Sequence, residues 1–355
     1  MINKNSSQSH WRLVPIAILF SIIVITQATV IYGEEQVTFE RSTEPLSHNP
    51  QLRWGLAAIN AHKAWQKTRG SQEIVVAVID SGIDHSIAPL KDKIWVNEEE
   101  IPGDDVDNDN NGYTDDVTGW DFWDEDSSSL SGSPINYHGT FVAGIIAGSL
   151  DNSTGAGGVA PGVRLMDLRV LDNRGQLYTK DWSKLVKAID YAVDNGADVI
   201  NLSIYSTQIP PDFVHQAIRR AVNEEVLVVG IPGNGGEEVR YFGQWEEVLT
   251  VGAVDKDGTP WNYSNHGSSV DLVGPGVDVL SLTSKGEMER RSGTSFAAAH
   301  VTGAAALVLS VEPELFVDRM REVLRDSARD LFEPGYDSKT GYGLVDVEKA
   351  LSLVE

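Results

Sequence analysis

Short apolar runs alternate with helical patterns along this chain, and the alternation restricts the fold more than any other feature of the sequence. The predicted strands are rich in Val and Ile, and they cover 74–79, 199–202, 226–231 and 248–254. The predicted helices cover 182–194, 212–223, 295–309 and 314–325. This order predicts an α/β fold, a doubly wound and mostly parallel sheet with helices on both faces. Functional side chains are expected at the carboxyl ends of its strands.

The charge balance and the absence of cysteine exclude several classes of function. The 355 residues include 52 acidic and 28 basic side chains, which gives a formal net charge of −24. Such a surface repels the phosphates of nucleic acids, so no nucleic-acid partner is expected. Without cysteine the chain forms no disulfide, no thiolate metal site and no cysteine nucleophile. We expect a globular protein that is a monomer.

The first residues have the pattern of an export signal. Basic residues precede an apolar run at 13–25, and Ala28 or Gly33 provides a small residue for the cleavage site. A longer part of the same segment also has the length of a membrane span. We therefore expect residues 1–33 to be a cleaved signal peptide, with an uncleaved membrane anchor as the alternative, followed by a short segment at 34–50. The expected location is extracellular, either secreted or anchored with the rest of the chain outside.

Three segments combine a reactive side chain with small neighbours. Asp80 ends the strand-like run 74–79, His138 opens a segment rich in Gly and Ala, and Ser295 lies where a Gly-containing turn enters an apolar helix. Taken singly, each is more often a helix cap or a turn residue. Serine, however, is a poor nucleophile unless a base takes its proton and a third group orients that base. The chain supplies one residue of each kind, so we interpret the three together.

The order Asp, His, Ser in the segments DSGID, HGTFVAG and SGTSFAAAH resembles that of the subtilisin-like serine proteases. The likeness extends from about residue 51 to residue 350. Further segments resemble family signatures in family order, and they cover 51–65, 158–161, 197–203, 263–276 and 341–350. The resemblance implies a secreted serine endopeptidase that acts on protein or peptide substrates. It implies a catalytic domain at 51–355 with an acidic insertion at 94–126.

The resemblance also implies a role for individual residues. Ser295 is then the nucleophile, His138 the general base and later acid, and Asp80 the group that fixes the imidazole tautomer. Asn234 falls where the family has its oxyanion-hole amide. Phe296 follows the nucleophile, where the family commonly has Met, and it removes a thioether that oxidants attack.

The expected substrate groove departs from the family pattern. Ser203, Ile204 and Tyr205 stand where relatives have Ser-Leu-Gly, and Pro232 before Gly233 replaces a small residue. A substrate that lies as an extra strand along this segment would meet added bulk in the primary specificity pocket. We expect a small or medium apolar residue before the scissile bond. The alternative is that Tyr205 turns outward and leaves a broad pocket.

The acidic stretch 94–126 contains 13 carboxylates and no Lys or Arg. Within it, 107–115 has oxygen-bearing side chains at alternate positions and Gly112 at the sixth, as in the calcium loop of an EF-hand. The predicted calcium ligands are Asp107, Asp109, Asn111, Tyr113, Asp115 and Asp116. Without a cation these carboxylates would repel one another strongly, so calcium is favoured over a merely solvated acidic loop.

Two features of the calcium prediction remain open. The Glu that an EF-hand has at the twelfth position is replaced by Thr118, so Asp115 or Asp116 must close the ligand shell. A second calcium loop of the family is matched only in part. Asn152 corresponds to one of its ligands, but Pro89 stands where the partner Asp is expected.

Two other functions remain compatible with parts of the sequence. An inactive relative would keep the fold as a binding module, which Tyr205 and Pro232 in the groove allow, although such a role requires neither the triad nor Asn234. A calcium-dependent glycosidase would use two carboxylates of the acidic stretch. That function leaves Ser295 and His138 without a role.

Overall fold

The computed structural model describes the backbone of residues 29–30 and residues 54–149, 157–332 and 334–354 in full. The segment predicted for export, apart from residues 29–30, lies outside the described residues. The same holds for 34–50 and for Asn152. Among the described residues, no helix has the length and apolar character that a membrane span requires.

The described chain contains strands and helices in alternation. The strands are β1 (Thr29–Val30), β2 (Val75–Asp80), β3 (Gly119–Asp121), β4 (Arg164–Arg169), β5 (Leu177–Tyr178), β6 (Val199–Leu202), β7 (Leu227–Gly230), β8 (Val248–Val254), β9 (Leu272–Pro275), β10 (Val279–Leu282) and β11 (Met288–Arg291). The α-helices are α1 (Trp54–Ala58), α2 (Ala61–Ala64), α3 (Ala88–Lys91), α4 (Tyr137–Ala147), α5 (Trp182–Asp194), α6 (Asp212–Asn223), α7 (Thr294–Leu309), α8 (Val317–Ser327) and α9 (Val347–Ser352).

Seven strands form one parallel sheet in the order β3-β4-β2-β6-β7-β8-β9. Two antiparallel pairs, β1 with β5 and β10 with β11, lie outside it. The predicted doubly wound parallel sheet is thus confirmed. Because its strands are parallel, β2, β6 and β7 end at the same edge, where the side chains that follow them meet.

Helices cover both faces of the sheet, and alternate residues of β2 show this directly. Val76 and Val78 pack in one core cluster together with α4, α7, α8 and α9. Ala77 and Ile79 pack in a second cluster together with α5 and α6. Successive side chains of a strand point to opposite faces. Both faces of β2 are therefore buried, as its continuous apolar sequence predicts.

The predicted elements agree closely with those observed, with a few differences. The helix predicted at 314–325 begins at Val317, whose amide donates a hydrogen bond of 2.8 Å to the carboxylate of Glu225. Strand β4 was not predicted, since three charged residues interrupt its apolar pattern. One of them, Arg169, is completely buried and ion-paired with Asp121 at 2.7 Å.

Candidate active site

Asp80 is the last residue of β2 and is completely buried. The amide of Ser81 donates a hydrogen bond of 2.6 Å to one of its oxygens. Strand β2 lies between β4 and β6 in the middle of the sheet. The carboxylate is thereby held at a rigid position at the strand ends.

His138 is the second residue of α4, and the imidazole faces Asp80. Its Nδ1 lies 3.0 Å from each of the two carboxylate oxygens. The side chain of Asn136 caps the helix by accepting the His138 amide at 3.1 Å. A carboxylate on Nδ1 keeps the proton on that nitrogen, which makes Nε2 the basic one. The ring is thus oriented as a general base.

The start of α4 packs directly on the segment that follows β2. The amide of Gly139 donates to Ser81 Oγ at 3.0 Å, and that hydroxyl donates to the carbonyl of Asn136 at 3.2 Å. A Cβ on Gly139 would lie 2.5 Å from the carbonyl oxygen of Gly82. Only glycine allows this approach, so the HG dipeptide is needed to bring the His138 ring to Asp80.

Ser295 is the second residue of α7 and is completely buried. Its Oγ has no hydrogen-bond partner among the described residues. The ring of Phe296, the next residue, lies 5.6 Å from the ring of His138 and 4.5 Å from that of Phe141 on α4. The two helix N-termini that carry His138 and Ser295 therefore converge above the end of β2.

Asn234 follows β7 and is fixed against the same helix end. Its Oδ1 accepts hydrogen bonds from the amide and the hydroxyl of Thr294, at 2.9 and 2.7 Å. Its Nδ2 is buried and has no acceptor within the described part of the chain. Beside the first turn of α7, this donor is suited to an oxyanion.

A second buried histidine on α7 is not a competing base. His300 lies one turn beyond Phe296, and its Nδ1 donates to the Phe296 carbonyl at 2.7 Å. Burial lowers the pKa of His300 to about 4, because the charged imidazolium loses its hydration. It therefore stays neutral at physiological pH and has a structural role.

The residues predicted to bind substrate lie along one side of this crevice. Ser203 and Ile204 follow β6 and are buried. Tyr205 is half-buried, and its Cδ2 lies 3.1 Å from the position of a Cβ on Gly233. Burial raises the pKa of the Tyr205 phenol, and the charge of the Glu237 carboxylate adds to the effect. The ring thus faces the loop that contains Gly233 instead of turning outward.

The loop that begins at Pro232 is held by Asn265, a residue that the sequence analysis did not single out. Asn265 Nδ2 donates to the Pro232 carbonyl at 3.0 Å, and its Oδ1 accepts the amides of Gly235 and Glu237 at 2.8 and 3.1 Å. Asn265 lies within 263–276, one of the segments with family likeness, which was the available signal.

The acidic insertion brings three carboxylates together. Oxygens of Glu100, Asp109 and Asp116 all lie within 4.8 Å of one another. Glu100 and Asp116 are buried. Burial raises the pKa of Asp116, although hydrogen bonds from Tyr191 and Asn111 partly oppose this. Glu100 precedes the predicted loop and was missed because nothing in its local sequence distinguishes it from neighbouring glutamates.

The other predicted ligands surround this cluster in different ways. Asp107 accepts the amides of Asn111 and Gly112 at 3.1 and 2.9 Å. Tyr113 packs its ring against Trp120, with ring centroids 5.1 Å apart. The carboxylate of Asp115 is not one of the three clustered carboxylates. It accepts the amides of Gly103, Asp104 and Asp105 at 2.6, 3.3 and 2.9 Å.

Two asparagines bridge the clustered carboxylates. Asn97 Nδ2 donates to Asp109 and Asp116 at 2.9 and 3.2 Å, and Asn111 Nδ2 donates to the same two residues at 2.9 Å each. The partial positive charge of the amide hydrogens lies between two negative groups. These hydrogens reduce the repulsion between the two carboxylates, as a bound cation would. Tyr191 of α5 donates to Asp116 at 2.5 Å and joins the cluster to the helical layer.

Comparison with known proteins finds similarity to one family and to several serine proteases. A model of the subtilase family matches residues 71–343. The chain is 36% identical over 283 residues to the thermophilic serine proteinase of Bacillus sp. (strain AK1), covering 79% of this chain and 63% of that protein. It is 30% identical to the halolysin-like extracellular serine protease Nep of Natrialba magadii, covering 93% and 57%, respectively. It is 33% identical to the major intracellular serine protease of Bacillus subtilis (strain 168), covering 82% and 85%.

Matches to the first two of these relatives span about three fifths of their length. The family model, in contrast, matches most of this chain, including every residue of the crevice described above. The matched range contains Asp80, His138, Ser295 and Asn234. The chain belongs to the subtilase family.

Proposed function

We propose that this protein is a serine endopeptidase that hydrolyses peptide bonds through an acyl-enzyme on Ser295. The observation that carries the proposal is the convergence of four buried groups at one edge of the sheet. His138 is oriented by Asp80, and Asn234 presents a buried amide donor beside Ser295. The substrates are proteins or peptides.

In the proposed reaction, Nε2 of His138 takes the proton of Ser295 Oγ as the oxygen attacks the scissile carbonyl. The carbonyl oxygen becomes an oxyanion, which Asn234 Nδ2 and the backbone amide of Ser295 stabilise. His138 then gives the proton to the leaving amine. Water repeats these steps to release the acyl group. Asp80 stabilises the imidazolium throughout and stays ionised.

The two alternative functions, an inactive binding module and a calcium-dependent glycosidase, fit the observed geometry less well. A binding module has no use for the buried and unpartnered Nδ2 of Asn234, because an unmet buried donor costs about 1–3 kcal/mol. A glycosidase needs two accessible carboxylates, about 5–9.5 Å apart, on either side of a sugar bond. In the acidic cluster Glu100 and Asp116 are buried, and their oxygens lie within 4.8 Å of each other, so no sugar fits between them.

The first test replaces Ser295 and Asn234 separately. Ser295→Ala should lower the turnover of a peptide substrate to a background rate. Only substrate binding and the oxyanion hole still contribute to that rate. Asn234→Ala should lower kcat by about 10²–10³ with little change in KM; this figure is the precedent measured for the corresponding amide of subtilisin. Asn262→Ala, an exposed asparagine of the same chain, is the matched control. Full proteolysis by Ser295→Ala would contradict the proposal.

The proposal includes calcium bound by the acidic insertion. Oxygen ligands from Glu100, Asp109 and Asp116 suit a hard cation, and Asn97 and Asn111 would add carbonyl oxygens after a half-turn of each amide. Asp107 also supports the calcium proposal. Its carboxylate accepts the amides of Asn111 and Gly112, four and five residues later, and this shapes the loop as in an EF-hand. Bound calcium would offset the repulsion among carboxylates that are 4.8 Å apart or less.

The calcium proposal predicts a stability that depends on the ion. In a Ser295→Ala background, which prevents autolysis, calcium at a hundred times its Kd should raise the unfolding free energy by about 2.7 kcal/mol. Asp109→Asn should remove most of this response, whereas Asp257→Asn, at an exposed carboxylate far along the chain, should preserve it. The measurement is urea unfolding with calcium and with a chelator. Identical curves in the two conditions would mean that the loop binds no calcium.

A narrow specificity pocket is the second part of the proposal. The ring of Tyr205 reaches the Gly233 backbone, so it occupies space that a large side chain of the substrate would need. Glycine at position 205 would leave that space open. The residue before the scissile bond should therefore be Ala, Val or Leu.

A peptide library that varies the residue before the cut tests this pocket. Cleavage after Phe and Tyr should be at least about tenfold slower than after Ala or Leu, because a clash discriminates more strongly than the roughly 1–3 kcal/mol of one missing methylene contact. Tyr205→Gly should restore cleavage after Phe, and Tyr205→Phe should not, since it keeps the ring. A wild-type preference for Phe would show that the narrowing argument is wrong.

The proposed location is extracellular. One of the relatives is named as extracellular and another as intracellular, so the relatives do not decide the location. The proposal rests instead on the apolar run at 13–25 and the small residues after it. Sequencing the N-terminus of protein recovered from the culture medium should give a start after Ala28 or Gly33. Recovery only in the membrane fraction, with the first residues intact, would favour the anchor.

A further inference from the structure

The proposed reaction defines the side of the crevice from which the leaving peptide departs. The acyl part of the substrate lies along Ser203 and Tyr205, and the oxyanion faces Asn234. His138 must give its proton to the leaving amine, so the residues after the scissile bond begin at the imidazole. They then run past the N-terminal turn of α4. This inference rests on the proposed function of the site.

A cation lies beside this exit. Tyr137, the first residue of α4, has its ring centroid 6.2 Å from that of His138. The guanidinium carbon of Arg291 lies 3.6 Å from the centroid of the Tyr137 ring, in the range of a cation–π contact. Arg291 ends β11, four residues before Ser295. The contact therefore joins the segment before the nucleophile to the helix of the base.

The hydrogen-bonding capacity of Arg291 is only partly used. One terminal nitrogen donates to Glu289 at 2.5 Å. Nε is buried and has no acceptor among the residues that the structure describes, and the side chain is 10% exposed. An arginine has five N–H donors and is always charged. An unpaired buried donor is costly, so the site favours an additional acceptor.

The neighbouring arginine provides a contrast. Arg290 donates from one nitrogen to both the carbonyl and the carboxylate of Asp278, at 2.7 and 3.0 Å. It has no ring contact with α4 among the described residues. Two adjacent arginines of equal charge thus differ in their surroundings, and only one of them lies against the helix that carries His138.

We propose that Arg291 determines specificity on the leaving side by binding a carboxylate of the substrate. The carboxylate belongs to an Asp or Glu at the first or second position after the scissile bond. A carboxylate fits the planar donor edge of a guanidinium better than a neutral amide does, and the bond is stronger because both groups are charged. The enzyme then selects peptides by a small apolar residue before the cut and an acidic residue after it.

The test compares two peptides that differ by one functional group. Both have the same acyl half with Ala before the cut, and the leaving half carries either Glu or Gln at one of its first two positions. The ratio of kcat/KM for Glu over Gln should be about tenfold in the wild type, which corresponds to about 1.4 kcal/mol. The ratio should fall with added salt, because screening weakens the attraction between the charged peptide in solution and Arg291. Taking a ratio removes effects of folding or of active-enzyme concentration.

Variants then assign the effect to one residue. Arg291→Gln should bring the ratio close to one, whereas Arg290→Gln, the matched control, should leave it as in the wild type. An Arg291→Gln enzyme with the wild-type ratio overturns the proposal, and so does a wild-type ratio at or below one in low salt, a result that requires no variant. Hydrolysis of the Gln peptide shows that the proposed endopeptidase is active. Failure of the Arg291 proposal is therefore distinct from failure of the proposed function.

Discussion

The close packing of α7 on the parallel sheet is the constraint on which the rest of the site depends. All sixteen residues of this helix are buried, and most are Ala, Gly or Val. A Cβ on Gly303 would lie 2.6 Å from Val159 Cβ, and one on Gly274 would lie 2.6 Å from the carbonyl oxygen of Ala297. A larger residue at Gly274 would push the helix away from the sheet, and one at Gly303 would push it away from the segment that precedes β4. Because Ser295 is at the end of this helix, a shift of about 1 Å there is enough to cost about 10² in rate.

Close packing through a glycine also positions α4, the helix that carries His138. The first turn of α4 approaches the segment that follows β2 through Gly139 as closely as α7 approaches β9 through Gly274. Two helix N-termini thus meet at one edge of the sheet, and side chains of neighbouring loops cap the first amides of each, Asn136 and Ser81 at α4 and Asn234 at α7. One end carries His138, the proposed base, and the other carries Ser295, the proposed nucleophile. The contact between Phe141 and Phe296 joins them with apolar packing where the family commonly has a thioether.

Local patterns in the sequence were sufficient for the fold, whereas the catalytic roles of Asp80, His138 and Ser295 came from the family resemblance and stay a prediction. The helix predicted at 182–194 and the strand predicted at 248–254 have the observed bounds. The helix is buried on one face and the strand on both faces, and each kind of burial leaves a clear pattern of apolar residues in the sequence. Contacts between distant segments could not be predicted in this way. Glu100 joins Asp116 only after the insertion folds, and its local sequence is that of an ordinary surface glutamate. The direction of the Tyr205 ring likewise depends on Gly233, which follows β7 instead of β6.

Mapping the covalent adduct of a fluorophosphonate by mass spectrometry tests the central claim most directly. This reagent reacts with a serine only where a base removes the proton and donors stabilise the negative oxygen, which are the functions assigned to His138 and Asn234. The account predicts one adduct per folded chain, on the peptide that contains Ser295, and its loss when the protein is unfolded before labelling. An adduct on another residue, or none on the folded protein, would contradict it.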